Sequence, residues 1–335
     1  MEKLVEITRG ALTEMVIRGG MIVLDDQGEA MAGIGDPGYV TYMRSAAKPL
    51  QATAAVECGA VDAYGISEPE LALMCGSHLG EDFHLRTVLS ILAKIGLQES
   101  DLTLGADLSL SKALREQRLA DHVAPRKAYN NCSGKHACML TICQFKSWPY
   151  DAYQEPIHPV QRLIFTTVAE YAGLAQEDIV IGVDGCGVPV FGMPLLNMAK
   201  AYHKLVHPEL LSAARGAAAV RLTAAMGKYP QMVSGTGQFC TELMRVTKGR
   251  IIGKLGADGV YCSAVLNGPS LALKIEDGNV AVIPLVMVTA LQQLGWLKKN
   301  ELQELAHFTV MNNINCQKDQ VGRSKAVFQL SPIAL

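Results

Sequence analysis

The chain has 335 residues, 49% of them hydrophobic and 19% charged, with a formal net charge of −2. That composition is globular, and the lack of any basic block of useful length excludes a nucleic-acid backbone as partner. The longest apolar stretch, VAVIPLVMVTAL (280–291), is too short for a membrane helix and holds a proline, and the start, MEKLVEITRG, lacks a basic segment followed by an apolar one, so a cytoplasmic protein with no membrane partner is expected.

Residues 2–8, 13–18, 21–25 and 29–34 read as short strands, with RGG and DDQG as turns, in an antiparallel meander. From Lys48 the pattern turns helical: KPLQATAAVECGAV is Ala-rich with apolar residues at helical spacing. EPELALMCGSH and EDFHLRTVLSILAKIG predict two more helices, the second ending at Gly96. HACMLTICQF (136–145) predicts an apolar helix, and PVQRLIFTTVAEYAG (159–173) another. DIVIGVDGCGVPVFG (178–192) reads as a strand entering a Gly-rich turn, with helices following over about 194–205 and 209–226. GRIIGKLGADGVYCSAV and SLALKIEDGNVAVI return to strands with EDG as a hairpin turn, and a last helix covers about 284–296. Strands therefore gather at both ends of the chain. The fold class expected is α+β, one antiparallel sheet of N- and C-terminal strands with a mostly helical region inserted. Residues 1–335 read as a single catalytic unit, with the sheet drawn from 1–45 plus 245–335 and the helices from 46–244.

Nine cysteines, an odd number at irregular spacing with no C-x-x-C, do not make a disulfide framework. Most read as small buried hydrophobes. Chemistry is concentrated in four short stretches. In MRSAAKPLQA, Ser45 and Lys48 share a helix face, and a desolvated lysine amine can take a serine proton. The plainer reading is an N-cap serine and a surface lysine, as expected for Ser109 and Lys112 in LSLSKALREQ. Enzymes of the penicillin-recognising type place a Ser-x-Asn or Tyr-x-Asn and then a strand-borne Lys-x-Gly after such a pair, and Tyr129-Asn130-Asn131 and Lys254-Leu255-Gly256 follow in that order. In MCGSHLGED, Ser77 lies in a glycine-flanked loop, either a helix end and turn or a second hydroxyl in the site. YNNCSGKHACM and VDGCGVP together offer Cys132, Lys135, His136, Asp184 and Cys186: two thiols from distant loops with an imidazole and a carboxylate, either an open zinc site or isolated buried thiols. MVSGTGQFCTELM (232–244) reads as a structural turn, since no phosphate-binding context surrounds its G-x-G.

As a set, RSAAKPLQA, CGSHLGE, NNCSGKHACML, VDGCGVP, MVSGTGQFCTELM and GKLGADGVYC resemble the L-asparaginase II family, the group of the thermolabile inducible Rhizobium enzyme, from about Val16 to Asn313. The resemblance implies a fold similar to serine β-lactamases and glutaminases. It implies two Ser-Lys couples, Ser45 with Lys48 and Ser77 with Lys254. Cys132, Lys135 and Cys186 would be zinc ligands, the lysine as a neutral amine. Arg44, His136 and Asp184 would be substrate-binding groups. The implied activity is hydrolysis of L-asparagine to L-aspartate and ammonia by a homodimer, with Ser45 attacking and Lys48 as its base. The alternatives are a glutaminase, another Ser-Lys amidohydrolase, or a non-enzymatic zinc- or amino-acid-binding protein on the same fold.

Overall fold

The computed structural model describes residues 1–333. Its first strands, β1 (Glu2–Arg9), β2 (Leu12–Leu24) and β3 (Ala30–Ile34), pair antiparallel in succession. The turn expected at RGG is not there: Arg18, Gly19 and Gly20 lie inside β2. Gly19 is needed for close approach. A Cβ on it would sit 2.5 Å from Leu4 Cδ1 and 2.5 Å from the Lys274 carbonyl oxygen. A lone glycine in a strand marks such contacts as often as it marks a turn.

Three short strands, β4 (Val40–Tyr42), β5 (Val180–Val183) and β6 (Pro189–Pro194), make a separate antiparallel sheet in the order β4-β6-β5. The later strands β7 (Ile251–Gly256), β8 (Val260–Val265), β9 (Ser270–Ile275), β10 (Met311–Ile314) and β11 (Gln320–Ala326) return to the first sheet. Its order is β10-β11-β1-β2-β9-β8-β7, with β3 also on β2. N- and C-terminal strands thus interleave, and the class is α+β. The β10–β11 hairpin has no strand signal in the sequence. Its strands are mostly polar, and only pairing with β1 makes them strands.

The helices are α1 (Lys48–Glu57), α2 (Ala60–Ala63), α3 (Glu68–Met74), α4 (Asp82–Lys94), α5 (Lys112–Ala120), α6 (Ser133–Phe145), α7 (Pro159–Ala172), α8 (Leu195–Val206), α9 (Ala213–Lys228), α10 (Pro230–Ser234), α11 (Phe239–Val246), α12 (Ile283–Gln293) and α13 (Lys299–Leu305). EDG does not close a hairpin. The residues after it enter a short 3-10 turn and then α12, whose first turn holds Pro284. A short apolar run fits a strand or a buried helix equally well, and a proline in its middle favours the helix start.

Helix α8 packs against β2, β8 and β9, and β9 is buried along its whole length. Helix α1 crosses the helical half against α6, α7 and α9, with every residue from Lys48 to Val56 buried. Its alanines allow that close packing, and it sets a lysine at the centre of the molecule. Among the described residues no helix is long and apolar enough to cross a membrane.

Candidate active site

The site is assembled from five segments that meet between the edge strand β7 and the helical half. The first is the turn into α1. Met43 N–H donates to Phe191 of β6 (2.8 Å), and the chain then makes a 3-10 turn over Arg44–Ala47. Arg44 has φ +50°, a left-handed conformation that is unfavourable for a residue with a β-carbon. Its guanidinium bonds Asp184 Oδ1 (3.0 Å) and pairs with Asp258, which tethers the turn on two sides. Ser45 follows, 8% exposed.

The second segment is the loop between α3 and α4. A Cβ on Gly76 would lie 2.6 Å from the Met232 carbonyl oxygen, so only glycine fits there. Ser77 N–H donates to the Val233 carbonyl (2.8 Å), which fixes the backbone. His78 is fully buried. Its Nδ1 accepts from Gly80 N–H (3.0 Å), so its Nε2–H donates to Ser133 Oγ (2.9 Å), and Ser133 Oγ donates to the Ala128 carbonyl (3.0 Å). This chain of bonds locks the Ser77 loop to the start of α6.

The third segment supplies Lys254 from β7, opposite Cys262 of β8 and fully buried. Lys254 Nζ lies 2.9 Å from Ser77 Oγ and donates to the Leu255 carbonyl (2.7 Å). Lys48 Nζ also lies 2.9 Å from Ser77 Oγ. It donates further to the carbonyls of Gly76 (2.7 Å) and Asn131 (3.3 Å). Both lysines therefore converge on Ser77. The sequence pairs Lys48 with Ser45, but Lys48 Nζ bonds these three groups. With three acceptors for three N–H bonds, Lys48 is arranged as an ammonium. Lys254 has one carbonyl acceptor and one hydroxyl, which a neutral amine can satisfy by donating to the first and accepting from the second. Burial lowers the pKa of both amines. For Lys254 it does so to about 7, with the nearby Lys48 charge adding to the effect.

The fourth segment is YNNCSGKHACM. Its helix begins at Ser133, three residues earlier than the apolar pattern suggests, with Cys132 as N-cap. Asn130 Oδ1 accepts from Cys132 N–H (3.0 Å). Cys132 and Lys135, one helical turn apart, thus share a face at a helix N-terminus, where a thiolate is favoured. The fifth segment is the turn joining β5 to β6, which carries Asp184 and Cys186.

These two segments meet. One donor atom each from Cys132, Asp184 and Cys186 lie within 4.8 Å of one another. Lys135 Nζ donates to Cys186 Sγ (2.9 Å) and lies 3.5 Å from Asp184 Oδ2. Two sulfurs, a nitrogen and a carboxylate oxygen around one point are a donor set that suits zinc. A hydrogen bond from Cys186 holds the Cys132 thiol well below its ordinary range and pushes Cys186 up. Burial opposes ionisation of both Lys135 and Asp184. Cys132, Cys186 and Asp184 nevertheless raise Lys135, and Lys135, Arg44 and Lys48 hold Asp184 at about 2.

Two cavities open onto these groups. One of about 420 Å³ is bordered by Ser45, Ser77, Asn131, Ser234, Gln238 and Lys254, among others. One of about 240 Å³ is bordered by Arg44, Ser45, Asn131, Cys132, Asp184 and Cys186. Ser45 and Asn131 belong to both. His136 borders neither cavity, and neither do Lys48 and Lys135. His136 is fully buried, with Nδ1 2.6 Å from Tyr153 Oη, and its Nε2 has no hydrogen-bond partner among the described residues. It sits on α6, one residue past Lys135, with its ring edge-on to that of Tyr153. In the decoy LSLSKALREQ the cap of α5 is Ser111, which accepts from Leu114 N–H (3.3 Å). Ser109 instead bonds the Leu79 carbonyl.

Ser234, Gln238 and Asp258 carry no motif of their own. MVSGTGQ and GADG gave them away only as glycine-flanked turns, and turns at the end of a strand are where binding groups collect. A model of the family described as L-asparaginase II matches residues 5–326. No curated protein matches the chain. Similar solved structures include a "putative beta-lactamase from Bacteroides dorei DSM 17855", at 12% identity over 77% of this chain and 84% of that one, with a TM-score of 0.44. A Bacillus glutaminase is similar at 12% identity over 83% of this chain and 91% of that one, with a TM-score of 0.38.

Proposed function

The chain belongs to the L-asparaginase II family, and from that premise, which makes it an amidohydrolase, we propose that it hydrolyses L-asparagine to L-aspartate and ammonia through an acyl-enzyme on Ser45. The observation that carries this reading is the convergence of two buried lysines on Ser77, beside a cavity that Ser45 also borders. A serine hydroxyl with a neutral amine on one side and a cation on the other is equipped to move protons.

The α-amino acid end of the substrate fits the smaller cavity, where Arg44 faces its carboxylate and Asp184 its ammonium group. That pose puts the side-chain amide at the junction, next to Ser45. Ser45 Oγ attacks the amide carbon, and its proton passes to the Ser77–Lys254 couple. Lys48, as a cation, holds Ser77 and keeps Lys254 neutral. The couple returns the proton to the amide nitrogen, the C–N bond breaks, and ammonia leaves. Water then attacks the aspartyl ester, the same couple takes its proton and passes it to Ser45 Oγ as the Oγ–carbon bond breaks, and aspartate is released. In this account Lys48 serves Ser77 and is not the direct base of Ser45.

Cys132, Lys135 and Cys186, with Asp184 beside them, would hold a zinc ion. Bound there, the ion would supply a fixed positive charge at the amino-acid end of the substrate. The test is ammonia release from asparagine by the purified protein, with Ser45→Ala and Ser77→Ala alongside. Ammonia release by Ser45→Ala at the parent rate would overturn the assignment.

A further inference from the structure

The larger cavity is far bigger than the reaction above requires. A departing ammonia is about the size of a water, which needs only roughly 15 Å³ of such space. The lysine-side cavity offers about 420 Å³, and its borders include Leu79, Leu110, Leu255 and Val280. Beyond it lies a second chamber of about 330 Å³, bordered by Phe239, Leu255, Tyr261, Ile283, Pro284 and Phe308. The two chambers share Ser234, Gln238, Leu255 and Val280. Gln238 is exposed, and among the described residues no hydrogen bond fixes its side chain, so it is free to turn aside between them.

The second chamber has the build of a ring-binding site. Phe239 stands 5.5 Å from Tyr261 and 5.2 Å from Phe308 between ring centroids, the second pair edge to face. Tyr261 is fully buried behind Phe239, and the half-buried Phe308 with Ile283 and Pro284 offers a flat apolar group area to bury. The chamber shares no bordering residue with the smaller cavity, whereas the larger cavity shares residues with both. A substrate held by its charged end in the smaller cavity would point its amide nitrogen toward the chamber.

We propose that the site also takes secondary amides, in which the side-chain nitrogen of asparagine carries an apolar, preferably aromatic, substituent that lodges in this chamber. The inference rests on the reading given under Proposed function. The chemistry is unchanged. The Ser45 Oγ–carbon bond forms, the carbon–nitrogen bond breaks, and the nitrogen takes the Ser45 proton through Ser77 and Lys254. It leaves as a primary amine instead of ammonia, and water then frees aspartate.

The test uses the full chain with L-aspartic acid β-anilide and with L-asparagine, following aniline and ammonia release. Ala281 and Val280 border the chamber and are exposed, so tryptophan at either position fills it without disturbing the core. The parent protein should cleave both compounds. The ratio of kcat/KM for the anilide to that for asparagine should fall by about tenfold or more in Ala281→Trp and in Val280→Trp, since even one methylene in a pocket changes discrimination by about that factor. Asparagine cleavage with no anilide cleavage would overturn the proposal and leave the asparaginase reading standing. Cleavage of both with an unmoved ratio in both variants would overturn the assignment of the chamber. Cleavage of neither would bring down the asparaginase reading, and this proposal with it.

Discussion

Replacing Lys254 separates the proton-transfer account from a purely structural role for the buried lysines. Its pKa stands at about 7 against an ordinary value of 10.5. That gap of about 3.5, at about 1.36 kcal/mol each, sets roughly 5 kcal/mol against the ammonium form. At pH 8 about nine-tenths of the molecules would carry Lys254 as a neutral base, whereas an ordinary lysine would be neutral in only about one in three hundred. The sign follows directly. The base is present above pH 7 and is lost as pH falls through that value, so kcat/KM for asparagine should drop on the acid side with a midpoint near 7. Lys254→Arg keeps a cation but provides no base, so kcat/KM should fall by about 10²–10⁴ and the acid limb should vanish. Lys48→Met removes the charge that helps depress Lys254, so whatever activity remains should show its acid limb at higher pH. The assay is ammonia release across pH at constant ionic strength. A Lys254→Arg protein with parental kcat/KM and an unchanged limb would refute the reasoning.

Ser45→Ala and Ser77→Ala should each lower turnover by several orders of magnitude, because neither attack nor proton relay has a substitute. Circular dichroism matching the parent would show that the loss is chemical. Cys132→Ala and Cys186→Ala should each lower zinc bound after dialysis, measured by elemental analysis, from near one per chain by tenfold or more; zinc retained by the double variant would place the metal elsewhere. Gly19→Ala should cost about 1–3 kcal/mol in urea denaturation, since the added methyl meets Leu4 and the Lys274 carbonyl. An unchanged midpoint would show that β2 has room there.

Much of the fold was legible because strand and helix periods are written locally, and the division into end strands and inserted helices followed from them. The failures have physical causes. Gly19 and Gly20 look like a turn because glycine's two uses, positive φ and close approach, are the same letter. The helix expected at 284–296 is α12, but the apolar residues just before it, read as strand, form a 3-10 turn because a short apolar run has no period to distinguish the two. The mostly polar β10 and β11 become strands only through partners at the other end of the chain. In the site, spacing named the lysines and thiols but not their partners. Ser45 and Lys48 share a helical face in sequence, yet the 3-10 turn and the depth of α1 carry the Lys48 amine to Ser77. Nothing in the sequence ties His136 to Tyr153, the partner that its Nδ1 meets in the fold. Gln238 and Ser234 come into view only once α11 packs on β7 and α10 on α3 and α11.

The central claim is that Ser45 becomes acylated while Ser77 and Lys254 handle its proton. Rapid acid quench of the protein turning over asparagine, followed by peptide mass mapping, reads this directly. The account predicts an aspartyl ester on the peptide containing Ser45, and more of it in Lys254→Arg if removal of the base slows deacylation more than attack. The same ester on the peptide containing Ser77, with Ser45 unmodified, would contradict it.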